Sequence, residues 1–199
     1  MFFRKILTLS IFSLMFALYQ VGDQISQADQ NRVFEVCYGA EHHGIEPVGG
    51  RYNLTLGDYN GFTNDTGIFY VLMIDMAASW WGPCWNNIGT MVGIEGYYED
   101  NPNVKIITNL DDIGQPYSCQ QWGDRHQFYN PDVFPLMTDD GNQDVLWSWL
   151  NTGGAFPSTA YIDHTMTVFF KGNNAQFGAA TATIDSMLDE CGDLCTLSP

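Results

Sequence analysis

Cys84 has the setting most suited to chemistry. It closes the turn Ser79-Trp80-Trp81-Gly82-Pro83-Cys84, which follows an unbroken apolar run over 69–74. A thiol attacks only as its thiolate, and the partial positive charge of a helix N-terminus favours that form. Gly82-Pro83 supplies such a start, because a proline at the first helical position gives up an N–H that would be unpaired there anyway. The spacing predicts Cys84 in the first turn of a helix that leaves a strand. The competing reading is a buried, inert cysteine behaving as a small hydrophobe. A second cysteine, Cys119, follows the next strand-like run, 104–110. From a neighbouring strand it is placed either as an exchange partner for Cys84 or as half of a structural bridge.

The surrounding elements must hold these residues. The run 69–74 suits a strand buried on both faces of a parallel sheet. Apolar residues at 88, 91, 92 and 94 give 85–98 one buried helical face, weakened by Gly89, Gly93 and Gly96. The stretch 104–110 is the next buried strand, and Asp111-Asp112 falls at its C-terminal end, where open α/β sheets place their sites. Ser118 caps a helix over Cys119–Tyr129. Further strands are predicted over 51–58 and 134–138, and a short helix or strand over Val145–Leu150. A hairpin joins 160–163 to 167–171. A last helix, 179–190, turns Ile184, Met187 and Leu188 to one side.

The Trp80-Trp81-Gly82-Pro83-Cys84 stretch resembles the active-site pattern of the thioredoxin superfamily, Trp-Cys-Gly-Pro-Cys. The resemblance spans roughly 51–190 and implies a thioredoxin-like central sheet with helices on both faces, an α/β fold. It makes Asp75, six positions before Trp81, the buried acid that handles the second cysteine's proton. Trp81 stands where that family carries its attacking cysteine, so Cys84 matches the resolving one. Pro157, in Phe156-Pro157-Ser158-Thr159-Ala160, matches the proline that the family holds in cis beside its cysteines. The resemblance thus implies catalytic roles for Cys84 and Asp75, with Cys119 as the candidate partner. Trp80, Trp81, Phe156 and Pro157 become the surface that meets protein thiols or disulfides. No cofactor and no metal is called for.

Three functions fit this pattern. One is a thiol–disulfide oxidoreductase with a single-cysteine site, which forms a mixed disulfide but needs another thiol to resolve it. Another is a redox-inactive binding or scaffold module in which Trp81 offers an aromatic contact surface. The third is a peroxidase of the glutathione-peroxidase kind, whose frame matches Ala78-Ser79-Trp80-Trp81-Gly82 with tryptophan at the reactive position.

The start of the chain has the form of a secretory signal. A short basic stretch precedes an almost wholly apolar one, and Ser26-Gln27-Ala28 predicts cleavage after Ala28. The apolar run is shorter than the ~20 residues of a membrane span, so no stable span is expected in the mature chain. Residues 29–50 then form an N-terminal extension, and 51–199 the thioredoxin-like domain, in the periplasm or outside the cell. The whole chain carries a net charge of −16. Without residues 1–28 it has five basic and 22 acidic residues, a net of −17. Such a surface repels phosphate backbones and excludes nucleic acid as a partner. Five cysteines, Cys37, Cys84, Cys119, Cys191 and Cys195, leave at least one unpaired within the chain. Cys191 and Cys195 either bridge locally or one of them pairs with Cys37. Glu41-His42-His43 is expected as a solvated loop, since adjacent histidines point in different directions.

Overall fold

β3 (Val71–Ala78) is the centre of the sheet, and every one of its eight residues is buried. The computed structural model describes residues 19–111, 116–139, 143–153 and 155–196. Within them the strands are β1 (Phe34–Tyr38), β2 (Asn53–Leu54), β3, β4 (Val104–Asp111), β5 (Leu136–Asp139), β6 (Ser158–Ile162) and β7 (Val168–Asn173). They form a seven-stranded sheet in the order β2-β1-β5-β4-β3-β6-β7. β3, β4 and β5 run parallel, whereas β6 pairs with β3 antiparallel and β7 with β6 antiparallel.

The helices are α1 (Gln27–Gln30), α2 (Gly82–Tyr97), α3 (Cys119–Tyr129), α4 (Val145–Leu150) and α5 (Phe177–Cys191). Alternation along β3 explains the layers. Val71 and Met73 face Met91 and Ile94 of α2 and Ala180, Ile184 and Met187 of α5. Leu72, Ile74 and Met76 face the opposite layer, with Val145, Leu146, Trp149 and Leu150 of α4. Complete burial of one such aliphatic side chain is worth about 1.5–3 kcal/mol. A third cluster gathers Ala77, Cys84, Ile88, Leu110, Trp122 and Met137 at the C-terminal ends of the parallel strands.

The expected α/β sheet with helices on both faces is present, with different boundaries. β3 runs beyond the apolar stretch to Ala78, because the backbone of Asp75 is held between Thr108 and Thr159. The strand predicted over 51–58 is cut to Asn53–Leu54. Thr55 and Asp58 form a reciprocal capping box there that starts a 3-10 turn over Leu56–Tyr59. The segment 29–50, expected as an extension, supplies β1, which lies inside the sheet between β2 and β5. Two glycines permit that insertion. Gly39 has φ +79°, and a Cβ there would lie 2.1 Å from the Pro135 carbonyl oxygen; a Cβ on Gly123 would lie 2.4 Å from the Tyr38 ring.

Residues 1–18, with the basic start and the apolar run, lie outside the described residues, as do Asp112 and the turn at 140–142. Residues 19–28 pack onto the sheet. Tyr19 and Ile25 are buried in the α4 layer, and the backbone amides of Gly22 and Ile25 donate to Val168 and Met166 at 2.8 and 2.9 Å. No helix among the described residues is long and apolar enough to cross a membrane.

Candidate functional site

The site forms where β3 hands over to α2. The Ser79 amide donates to the Asp111 carbonyl at 3.1 Å, tying the turn to the end of β4, and Trp80 Nε1 donates to Asp111 Oδ2 at 3.2 Å. Trp81 is the N-cap residue of α2 and makes no side-chain cap, and Pro83 occupies the first turn. Cys84 follows within that turn, its amide donating to the Trp81 carbonyl at 3.0 Å.

The helix start does not activate this thiol. Cys84 is 2 % exposed, and the Ala78 amide donates to its Sγ at 3.4 Å. Burial pushes the thiol up to about 12, and nearby Asp75 adds to the rise, while the Ala78 N–H opposes it. Asp75 is itself 3 % exposed, and its Oδ1 has no hydrogen-bond partner. Burial lifts its carboxyl to about 7; His126 opposes that rise and Glu95 adds to it.

Aromatic rings flank the turn that leads to Cys84. Trp80 and Trp81 are 45 % and 41 % exposed, with ring centres 6.1 Å apart. Phe156 stands edge-on to Trp80 at 5.9 Å, stacks on Trp147 at 3.8 Å, and packs against the cluster that contains Cys84. The Phe156–Pro157 peptide is cis, as the resemblance implied. The next residue, Ser158, is in register with Met76 on β3, which sets Pro157 beside the end of that strand. Cys84, Asp75, Trp80, Trp81, Phe156 and Pro157 thus belong to one region, and Cys119 packs in the same buried cluster as Cys84.

Cys119 is the correction. It is bonded to Cys37, 82 residues away, and is therefore no free partner for Cys84. The two sulfurs of the bridge come from β1 and the first residue of α3, a pairing that strand order decides and spacing does not reveal. Cys191 pairs locally with Cys195, which leaves Cys84 as the free cysteine.

Sequence reasoning missed the buried acid–base pair behind the site. His126 Nδ1 lies 3.2 Å from Glu95 Oε2, with side chains 1 % and 8 % exposed. A signal existed: Cys84, Ile88, Met91 and Glu95 fall on one helical stripe, so Glu95 is a charge on the buried face of α2. His43, expected in a solvated loop, is half-buried with Nε2 2.8 Å from the Phe134 carbonyl, while His42 stacks on the Phe134 ring at 4.4 Å. Among the described residues no group of three or more His, Cys, Asp or Glu could hold a metal ion.

No protein-family model matches the sequence, and no curated protein matches it. Solved structures do match the fold. A putative thiol:disulfide interchange protein DsbE from Chlorobium tepidum aligns with TM-score 0.55 at 15 % identity, covering 85 % of this chain and 99 % of that one. A putative protein disulfide isomerase from Bacteroides thetaiotaomicron aligns with TM-score 0.58 at 15 % identity, covering 88 % and 96 %. The fold is the thioredoxin fold. AhpC of Mycobacterium tuberculosis shares it as well, with TM-score 0.57, 15 % identity and 85 % and 98 % coverage. In the thioredoxin fold as this chain builds it, Trp81 is exposed just before the Gly82-Pro83 turn, and the free thiol of Cys84 is buried in the first turn of α2.

Proposed function

We propose that this chain binds extended, cysteine-bearing polypeptides outside the cytoplasm at the Trp80, Trp81 and Phe156 surface, and that exchange at this site is restricted to slow reactions of one thiol. The observation that carries this reading is that Cys84 is buried while the exposed residue before the Gly82-Pro83 turn is Trp81 and not a thiol. Aromatic rings beside the cis Phe156–Pro157 peptide give contact area at low entropic cost. An exposed nucleophile for fast exchange is lacking. Any exchange runs as attack of the Cys84 thiolate on a substrate disulfide, forming a mixed disulfide and expelling one substrate thiolate. A second thiol from solution then resolves it, since this chain offers none. The printed names of the structural neighbours support a thiol or disulfide substrate class. Four cysteines held in two bridges fit an oxidising compartment.

A second reading, a working single-thiol oxidoreductase, is favoured by Asp75. A buried carboxyl without a full set of partners is costly, and a pure binding surface has no use for one beneath its thiol. Reduction of insulin by dithiothreitol separates the two. Wild type is expected to accelerate it little, and Trp81→Cys to accelerate it at least about tenfold more, because it supplies the exposed thiol that Cys84 can resolve. Wild type as active as the variant would overturn the binding reading. An inactive but folded variant would overturn the placement of position 81 as the attacking site.

A further inference from the structure

The two disulfides differ in access. Cys191 and Cys195 are 4 % and 8 % exposed and lie four positions apart at the end of α5. The other bridge joins β1 to α3 and is reached through Cys37, which is only partly buried. Cys37 lines a cavity of about 550 Å³ together with Tyr38, Gly39, Ala40, Gln120 and Phe134. The register of β1 against β5 slips between Val36 and Tyr38, so Cys37 sits where the ladder is interrupted. Bulges of this kind re-aim a side chain away from the regular pleat.

Its partner is placed as a leaving group. Cys119 is buried at 6 % and is the first residue of the 11-residue helix α3, whose first turn holds no acidic residue. A thiolate released there meets two opposed effects: the positive end of the helix lowers its basicity, and burial, as at Cys84, raises it. Access decides the direction: Cys37 lines the cavity and can be attacked, and buried Cys119 is the sulfur that leaves.

We propose that Cys37–Cys119 is an exchange-active disulfide, distinct from the Cys84 site, which accepts two electrons from thiols that enter the β1–α3 cavity. A substrate thiolate attacks Cys37 Sγ, the Cys37–Cys119 bond breaks, and the electron pair leaves on Cys119. The result is a substrate–Cys37 mixed disulfide and a Cys119 thiolate. A second substrate thiolate attacks the substrate sulfur of that mixed disulfide and releases Cys37 as thiolate. The substrate is oxidised to its disulfide, and the bridge is reduced to two thiols. The shared chemistry is a thiol, supplied either by a small molecule or by a reduced polypeptide.

Oxidised wild-type protein is incubated at neutral pH with graded glutathione in one arm and with a reduced dithiol peptide in the other. Each reaction is quenched with acid, alkylated and mapped by mass spectrometry. Expected are a glutathione or peptide adduct on Cys37, and opening of Cys37–Cys119 at least about tenfold faster than Cys191–Cys195. The faster arm identifies the source of the thiol. Opening of Cys191–Cys195 first, adducts on Cys119 in place of Cys37, or opening in neither arm without denaturant would each overturn the proposal.

Discussion

The Ala78 amide donates to the Cys84 sulfur at 3.4 Å, joining the last residue of β3 to the first turn of α2. One such bond does not offset the loss of water around a thiol 2 % exposed, and the thiol is pushed up to about 12. At neutral pH only about one molecule in 10⁵ then carries the thiolate, against a few per cent for an ordinary cysteine.

Alkylation of Cys84 should follow that difference. With Cys84 the free cysteine, uptake of a small thiol reagent by the native protein reports on it directly. The rate should climb about tenfold per pH unit through the range where an ordinary thiol levels off, near pH 8–9. The sign for stability is the same. The folded state holds this proton more tightly than the unfolded one, so stability present below the unfolded pKa is lost as pH rises toward 12. A rate that levels off near pH 8 would show that the thiol is not held as described.

Asp75 titrates in a more accessible window. Its carboxyl is raised from the ordinary range to about 7, chiefly by burial. Between pH 4 and 7 the unfolded state has released a proton that the folded state retains, so stability falls across that window. The shift corresponds to a few kcal/mol, of the order of 4. Asp75→Asn keeps the shape and removes the charge. It should be more stable than wild type above pH 7, with an advantage that shrinks toward pH 4. Paired urea titrations at pH 4 and pH 8 measure it, and an equal difference at both would refute the assignment.

The aromatic surface makes a separable claim. Trp80→Ala and Phe156→Ala should each weaken binding of a cysteine-containing extended peptide by about tenfold or more, the usual scale for an aromatic anchor at an interface. Phe128, 73 % exposed on α3, is the control, and its removal should change little. Fluorescence titration of the exposed tryptophans gives the readout for Phe156→Ala and Phe128→Ala; anisotropy of a labelled peptide serves all three. Equal losses at all three positions would argue against a localised surface.

What was legible in the sequence followed from local physics. Cys119–Tyr129 has its cap, Ser118, and its helical content side by side in the chain, and both ends were read correctly. The Gly82-Pro83 start placed Cys84 for the same reason. The Cys37–Cys119 bridge was illegible because it depends on β1 entering the sheet beside β5, a contact between residues 82 apart. That burial opposes the helix start at Cys84 followed from its match to the buried cysteine of the family pattern, whereas the size of the rise, to about 12, needed the depth of burial.

The last prediction concerns residues 19–28, which a cleavage after Ala28 would remove. Ile25 is 1 % exposed within the α4 layer, and Tyr19, also in that layer, donates its hydroxyl to Asp29 Oδ2 at 2.5 Å. Lys171 Nζ donates to the Tyr19 carbonyl at 2.7 Å and to that of Asn151 at 2.9 Å, so the segment also fixes β7. Ile25→Ala should cost about 2–5 kcal/mol, the range for truncating a buried branched side chain. A chain beginning at residue 29 should lose more than that, because it also strips the backbone bonds to Met166 and Val168. Denaturant midpoints of chains beginning at residues 19 and 29 decide it. The longer chain should be clearly the more stable. Equal midpoints would mean that this packing adds nothing to stability.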